Sequence, residues 1–117
     1  MYHAKKGKKF GLIVNRRKSF LKNLANNLIR KGKIETTETR AKAIRPIVEK
    51  MVTLAKKQNL ASRRLLISRL KSPVTAKKLY DVLAPKYQDR KGGYLRITKL
   101  GKARKRDGAK TATIEFV

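Results

Sequence analysis

The stretch Thr37–Ala55, which reads TETRAKAIRPIVEKMVTLA, predicts a helix with one apolar face. Its apolar residues recur every three or four positions, at Ala41, Ile44, Val48, Met51 and Ala55. Thr37 can cap the helix, and Glu38 lies on the favourable side of the helix dipole. Pro46 lies inside the pattern, so we expect a kink or a break near Arg45. The apolar face of this helix requires other elements to cover it.

The flanking sequence predicts three further helices. The first covers residues 15–30, and Gly32 follows it as a stop signal. Another covers residues 60–70. Ser72-Pro73 marks the start of the last helix, with Ser as the N-cap and Pro at the first helical position, and this helix should end near Pro85.

Short strands are predicted at residues 33–36, 94–100 and 111–117, and the last two alternate apolar with polar side chains. A turn at residues 89–93 precedes the second strand. The element order is therefore helix, strand, three helices and two strands. This order predicts a two-layer α+β fold, in which helices pack on one face of a small mixed three-stranded sheet.

The charge of the chain is very unequal in sign. Its 117 residues include 33 Lys and Arg against 7 Asp and Glu, a formal net charge of +26. Leu, Ile, Val and Phe make up about 26 per cent of the chain, above the ~20 per cent below which high charge usually means disorder. We therefore expect a folded domain with a small core. Because charge of one sign destabilises a compact state, we also expect a polyanionic partner.

The positive charge is concentrated in particular segments. No acidic residue occurs from residue 1 to residue 34. We expect residues 1–14 to form a basic arm and residues 15–117 to form a single domain. The last two strands should form a hairpin whose loop, at residues 101–109, carries a second basic cluster. Arms of this composition order on nucleic acid rather than fold alone.

Catalysis and metal binding find little support in the sequence. There is no Cys and one His, His3, which lies in the arm, so disulfides and Cys/His zinc sites are excluded. The seven carboxylates include no close pair with the spacing of a metal site. We therefore expect no enzyme activity, no metal and no cofactor. Apolar runs are also far shorter than the ~18 residues that a membrane span needs, so we expect no membrane partner.

Several segments together resemble the bacterial large-subunit ribosomal protein L17 family (bL17). Three of their features are specific in combination: the Ile34-Glu35-Thr36-Thr37 strand, the Arg45-Pro46 pair and the Arg90-Lys91-Gly92-Gly93-Tyr94 turn. The resemblance continues along most of the chain in Asn23–Ile29, Arg40–Lys42, Leu54–Lys57, Arg63-Arg64, Lys77–Leu79, Ala84–Tyr87 and Ile114–Val117.

The resemblance implies a non-catalytic protein of the large ribosomal subunit. It implies direct contact with large-subunit ribosomal RNA, near the outlet of the nascent-chain tunnel. Partners would be that RNA and neighbouring ribosomal proteins, with no small-molecule substrate. The protein would work in the cytoplasm as part of the ribosome.

The candidate RNA-binding residues come from four regions, and most are Lys or Arg because these side chains neutralise phosphates. They are Lys5, Lys6, Lys8 and Lys9 in the arm; Arg16, Arg17, Lys18 and Lys22 in the first helix; Arg40, Arg45, Arg63 and Arg64 in the next helices; and Arg90, Lys91, Tyr94, Arg96, Lys102, Arg104, Lys105 and Arg106 towards the end.

The residues alone leave open the role of Tyr94 and two other functions for the whole protein. Tyr94 lies among arginines, and it could stack on an unpaired base or be a half-buried aromatic at the sheet edge. The charge would equally suit a DNA-binding architectural protein of the nucleoid type, although the sequence has no strong dimer seam. A membrane-active cationic protein is the third reading, but burial within a domain explains the apolar stripes more simply.

Overall fold

The computed structural model describes residues 14–103 and 108–117. In chain order, the helices and strands of these residues are α1 Val14–Lys31, β1 Lys33–Thr37, α2 Glu38–Ala55, α3 Leu60–Leu70, α4 Pro73–Lys78, a π-helical turn Leu79–Leu83, a last helical turn α5 Ala84–Lys86, β2 Leu95–Ala103 and β3 Lys110–Phe116. The predicted α+β class and element order are confirmed.

Helix α2 begins as its sequence predicts and runs without a break. The Thr37 side chain accepts a hydrogen bond from the Arg40 N–H at 3.3 Å, which caps the helix. Of the kink or break expected near Arg45, the break is wrong, because the helix continues through Pro46 to Ala55. Pro46 cannot donate to the carbonyl of Lys42, but both residues are exposed, so water can satisfy that carbonyl.

The predicted fourth helix is less regular than expected. Ser72 caps its start by accepting a hydrogen bond from the Thr75 N–H, as predicted. Its second half is a π-helical turn, in which the Ala84 N–H bonds to the Leu79 carbonyl five residues back. Pro85 follows at once and has no N–H for the carbonyl of Asp81, so the regular ladder could not continue there.

The sheet is antiparallel throughout, so the expectation of a mixed sheet is wrong. Strand order is β1-β3-β2, and β3 pairs antiparallel with both neighbours. Strand β2 turns back into β3 through a hairpin, which makes that pair antiparallel. Strands β1 and β2 run in the same direction, but β3 lies between them. The register aligns Ile34, Ile114 and Ile97 across the inner face.

Helix α2 lies at the centre of the core. It contacts all three strands on one side and α1, α3 and the π-helical turn elsewhere. Its inward residues Ala41, Ile44, Val48, Val52 and Ala55 are fully buried. Facing elements contribute Leu28 and Ile29 of α1, Leu66 and Leu70 of α3, Leu79, and Ala112 and Ile114 of β3. The helices cover one face of the sheet, as predicted.

The segment between α5 and β2 is fixed by contacts to the end of β3. The Tyr87 hydroxyl donates to the Val117 backbone oxygen at 2.6 Å, and the Val117 N–H donates to the Tyr94 carbonyl at 2.9 Å. The Tyr87 ring lies 5.5 Å from that of Tyr94 and 6.3 Å from that of Phe116. Burial raises the pKa of Tyr87, although the nearby Arg90 charge opposes this.

Two neighbouring leucines of α3 test where the core lies. Leu66 is fully buried, whereas the Leu65 side chain is 45% exposed. We expect Leu66→Ala to lower the free energy of unfolding by about 2–5 kcal/mol, because it leaves a cavity. Leu65→Ala, the matched control, should change it by less than about 1 kcal/mol. Urea unfolding followed by circular dichroism measures both, and equal losses would contradict this core.

Candidate nucleic-acid interface

Helices α1, α3 and α4 carry positive charge that no acidic residue of their own offsets. Helix α1 contains six basic and no acidic residues, and so does the stretch from Leu60 to Lys78 that forms α3 and α4. We call the surface formed by these three helices the basic helical layer. Its cations are Arg16, Arg17, Lys18, Lys22, Arg30 and Lys31 of α1 and Arg63, Arg64, Arg69, Lys71, Lys77 and Lys78 of α3 and α4.

Specific contacts join the three helices of this layer. The Asn26 side-chain amide donates to the Leu70 carbonyl at 3.1 Å, which ties the middle of α1 to the end of α3. The Lys78 ammonium donates to the Arg30 carbonyl at 2.5 Å, which ties α4 to the end of α1. Charge that lies far apart in the sequence is therefore gathered on three helices that contact one another.

The outer face of the sheet, which points away from the helices, has a different charge. Across its strands lie Lys33, Glu115 and Arg96 in one row and Glu35, Thr113 and Thr98 in the next. The charged residues in these rows are two cations and two carboxylates, so they balance. These two rows therefore add no net charge to the outer face and offer a polyanion less local attraction than the basic helical layer does.

Two of the predicted RNA-binding arginines have carboxylate partners. Arg45 lies 3.5 Å from Glu49 on the same helix, and Arg96 lies 3.0 Å from Glu115 across the sheet. A third pair joins Lys99 and Glu38 at 4.0 Å. Surface pairs of this kind contribute only about 0–1 kcal/mol, so they do not hold these side chains firmly. Their charge is nevertheless partly offset within the chain.

Two other predicted arginines rest on aromatic rings. The guanidinium of Arg40 lies 4.9 Å from the ring centre of Phe20, and that of Arg63 lies 5.8 Å from that of Tyr80. Cation–π contacts at the surface are worth about 0.5–1 kcal/mol and leave the other face of a guanidinium available. Arg63 is exposed and Arg40 is half-buried, so Arg63 is the more accessible of the two.

Tyr94 is a core residue, and the prediction that it stacks on a base is wrong. Only 2% of Tyr94 is exposed, so its ring offers no free face. Its hydroxyl accepts a hydrogen bond from the Lys56 ammonium at 2.9 Å and donates to the Arg90 carbonyl at 3.2 Å. The hydrogen bond from Lys56 lowers the pKa of Tyr94, against the opposing effect of burial.

Lys56 therefore has a structural role that its sequence context did not reveal. Its ammonium also bonds to the Arg90 carbonyl, so one Lys holds both the Tyr94 ring and the turn before β2. Arg90 and Lys91 of that turn are themselves exposed, and the structure presents their side chains to solvent.

The remaining predicted residues divide by position. Arg16, Lys18 and Arg64 are exposed on the basic helical layer, and Arg17 and Lys22 of the same layer are partly buried. The backbone of Lys102 lies in β2. The arm lysines Lys5, Lys6, Lys8 and Lys9, and the loop residues Arg104, Lys105 and Arg106, lie outside the described residues.

Sequence reasoning missed half of the basic helical layer. The missed residues share one signal in the sequence, which is the absence of nearby acidic residues. No acidic residue occurs between Glu49 and Asp81, and none occurs before residue 35. These two acid-free segments are brought into contact by the fold. The missed cations are Arg30, Lys31, Arg69, Lys71, Lys77 and Lys78.

Two other kinds of site are absent from the described residues. They contain no group of three or more His, Cys, Asp or Glu that could hold a metal ion. No helix among them is long and apolar enough to span a membrane. Leu60, Leu65, Val74 and Val82 are exposed apolar residues in and after the layer, but single residues of this kind are common on protein surfaces.

Comparison with known proteins identifies the family. The family described as "Ribosomal protein L17" matches residues 20–117. The chain is 51% identical over 118 residues to large ribosomal subunit protein bL17 of Persephonella marina, covering 100% of this chain and 95% of the relative. It is 49% identical over 117 residues to the bL17 of a Sulfurihydrogenibium species, covering 100% and 97%. For the bL17 of Clostridium beijerinckii, the identity is 47% over 110 residues, covering 94% and 96%.

The match spans nearly the whole chain and nearly the whole of each relative, so it covers the arm, the helices and the sheet alike. Proteins of this family are structural constituents of the ribosome and not enzymes, which confirms the predicted absence of catalysis. The chain belongs to the ribosomal protein L17 family and has a structural role in the large ribosomal subunit.

Proposed function

We propose that this protein binds large-subunit ribosomal RNA through the basic helical layer, helped by the basic arm before α1 and by the basic segment at 101–109, which begins in β2. The observation that carries the proposal is the contact between two acid-free segments, which brings the cations of α1, α3 and α4 together on neighbouring helices. RNA backbones present closely spaced phosphates, and Lys and Arg bind them with release of counterions.

Arginine geometry supports RNA as the ligand of this layer. Arg64 is exposed, and Arg63 keeps one guanidinium face free above Tyr80. A planar guanidinium can bind phosphate through two hydrogen bonds or stack on an unpaired base. These two neighbouring arginines therefore offer both kinds of contact from one turn of α3.

The finer location is part of the same proposal. The family resemblance supports a position near the outlet of the nascent-chain tunnel, with ribosomal proteins as neighbours and the cytoplasm as the compartment. The balanced charge of the outer sheet face suits contact with solvent or protein better than contact with RNA.

Sucrose-gradient sedimentation of a cell lysate tests the proposal across a salt series. We expect one copy of the protein per large subunit, retained at moderate salt, because many phosphate contacts act together. A ribonuclease-treated lysate is the matched control and should release the protein. Migration with DNA would contradict the proposal and favour an architectural DNA-binding protein.

Deleting residues 1–10 tests the role of the arm. We expect weaker binding to large-subunit ribosomal RNA, with a salt slope reduced by up to about 4, because four lysines are lost. The free energy of unfolding should change by less than about 0.5 kcal/mol. A full-length variant with Lys5, Lys6, Lys8 and Lys9 changed to Gln controls for chain length. Equal losses of stability and binding would contradict this division of roles.

A further inference from the structure

Lys71, at the corner between α3 and α4, has a backbone conformation that lysine rarely adopts. Its φ is 52° and its ψ is 29°, the left-handed region, where it ends α3 by donating its N–H to the Ile67 carbonyl. Glycine is the usual residue at this position because it has no Cβ to clash with the backbone. The Lys71 side chain is exposed, so packing does not explain why a lysine stands there.

Gln58 shows what a structural reason for this conformation looks like. Among the described residues, Gln58 and Lys71 are the two that are not glycine and have a positive φ, and the φ of Gln58 is 54°. Its side-chain amide donates to the Ala55 and Tyr80 carbonyls, both at 2.9 Å, so it joins α2 to the π-helical turn. The Lys71 ammonium has no hydrogen bond or carboxylate partner among the described residues. Arg69 already places a cation in the last turn of α3, so Lys71 is not needed to offset the helix dipole.

The corner that Lys71 occupies is held rigidly against α1. The carbonyl of the preceding residue, Leu70, accepts the hydrogen bond from Asn26, and Leu70 itself is buried. Lys77 is exposed on the helix that leaves the corner, and the Lys78 ammonium is tied to the end of α1. A backbone fixed in this way can hold a strained residue in place, as happens at functional sites.

Resting on the proposed function, we infer that the corner at Lys71 is a phosphate-contacting surface of the protein. The RNA backbone docks on the α1, α3 and α4 side with Lys71 and Lys77 directed at it, and the outer face of the sheet is turned away from the RNA. Charge complementarity selects this occupant, since the layer carries only cations whereas the outer sheet face is balanced by Glu35 and Glu115.

Two charge-matched double variants of the full chain separate the faces. Lys71→Gln with Lys77→Gln removes two charges from the corner, and Lys33→Gln with Arg96→Gln removes two from the outer sheet face. The probe is purified large-subunit ribosomal RNA, with affinity measured from 0.05 to 0.5 M salt. The corner pair should lower the salt slope by about 2 and the affinity at 0.1 M salt on the order of 50-fold, because each phosphate contact contributes about 0.9 to the slope. The sheet pair should lower the affinity by less than about threefold.

A third variant, Lys71→Gly, distinguishes an RNA contact from a structural role. Glycine relieves the left-handed strain, so we expect the melting temperature to rise by roughly 2–6 °C. The affinity should nevertheless fall on the order of tenfold, because the cation is lost. A lower melting temperature for Lys71→Gly would show a structural role for the side chain and overturn the inference.

The remaining outcomes separate this inference from the proposed function. If the corner pair and the sheet pair lower the affinity for ribosomal RNA equally, the assignment of faces is overturned while RNA binding itself stands. A wild-type chain without salt-dependent affinity for the ribosomal RNA would overturn the proposed function, and the inference with it.

Discussion

Uncompensated positive charge is the constraint on which the rest of this structure depends. With 33 basic and 7 acidic residues, the chain cannot neutralise itself. The three ion pairs of the described residues, Arg45–Glu49, Arg96–Glu115 and Lys99–Glu38, involve α2 and the sheet, and none lies within α1, α3 or α4. The basic helical layer holds twelve cations and no carboxylate, so a polyanion bound there would relieve part of this repulsion and stabilise the folded state by mass action.

Helix α2 makes this segregation of charge feasible. It contacts the sheet and four helical elements, which are α1, α3, the π-helical turn and α5, so one helix organises the core for the whole domain. The acid-free helices are therefore fixed by apolar packing, through residues such as Leu28, Leu66 and Leu79, rather than by ion pairs. Two polar contacts, from Asn26 and from Lys78, then set how α1 meets α3 and α4.

The elements that were predictable from sequence depend on local signals. Apolar periodicity and the cap at Thr37 placed α2 correctly, and the cap at Ser72 placed the start of α4, because these signals act within a few residues. The hairpin of β2 and β3 was predicted, but β1 joins β3 from a distant part of the chain, so its antiparallel pairing was not predictable from strand positions. Tyr94 likewise has a distant partner, Lys56, 38 residues away in the sequence, so its structural role was not predictable from its neighbours. The left-handed backbone of Lys71 was not predicted either, because no glycine stands where α3 ends.

Photochemical cross-linking of intact large subunits, followed by mass spectrometry of peptide–RNA conjugates, tests the central claim most directly. Ultraviolet light joins only groups in direct contact, so it reports which face of the protein touches RNA. We predict conjugates on peptides from α1 and from α3 to α4, including the Lys71 corner, and few on peptides from β1 and β3. Conjugates confined to the sheet strands, or none on the protein, would contradict the account.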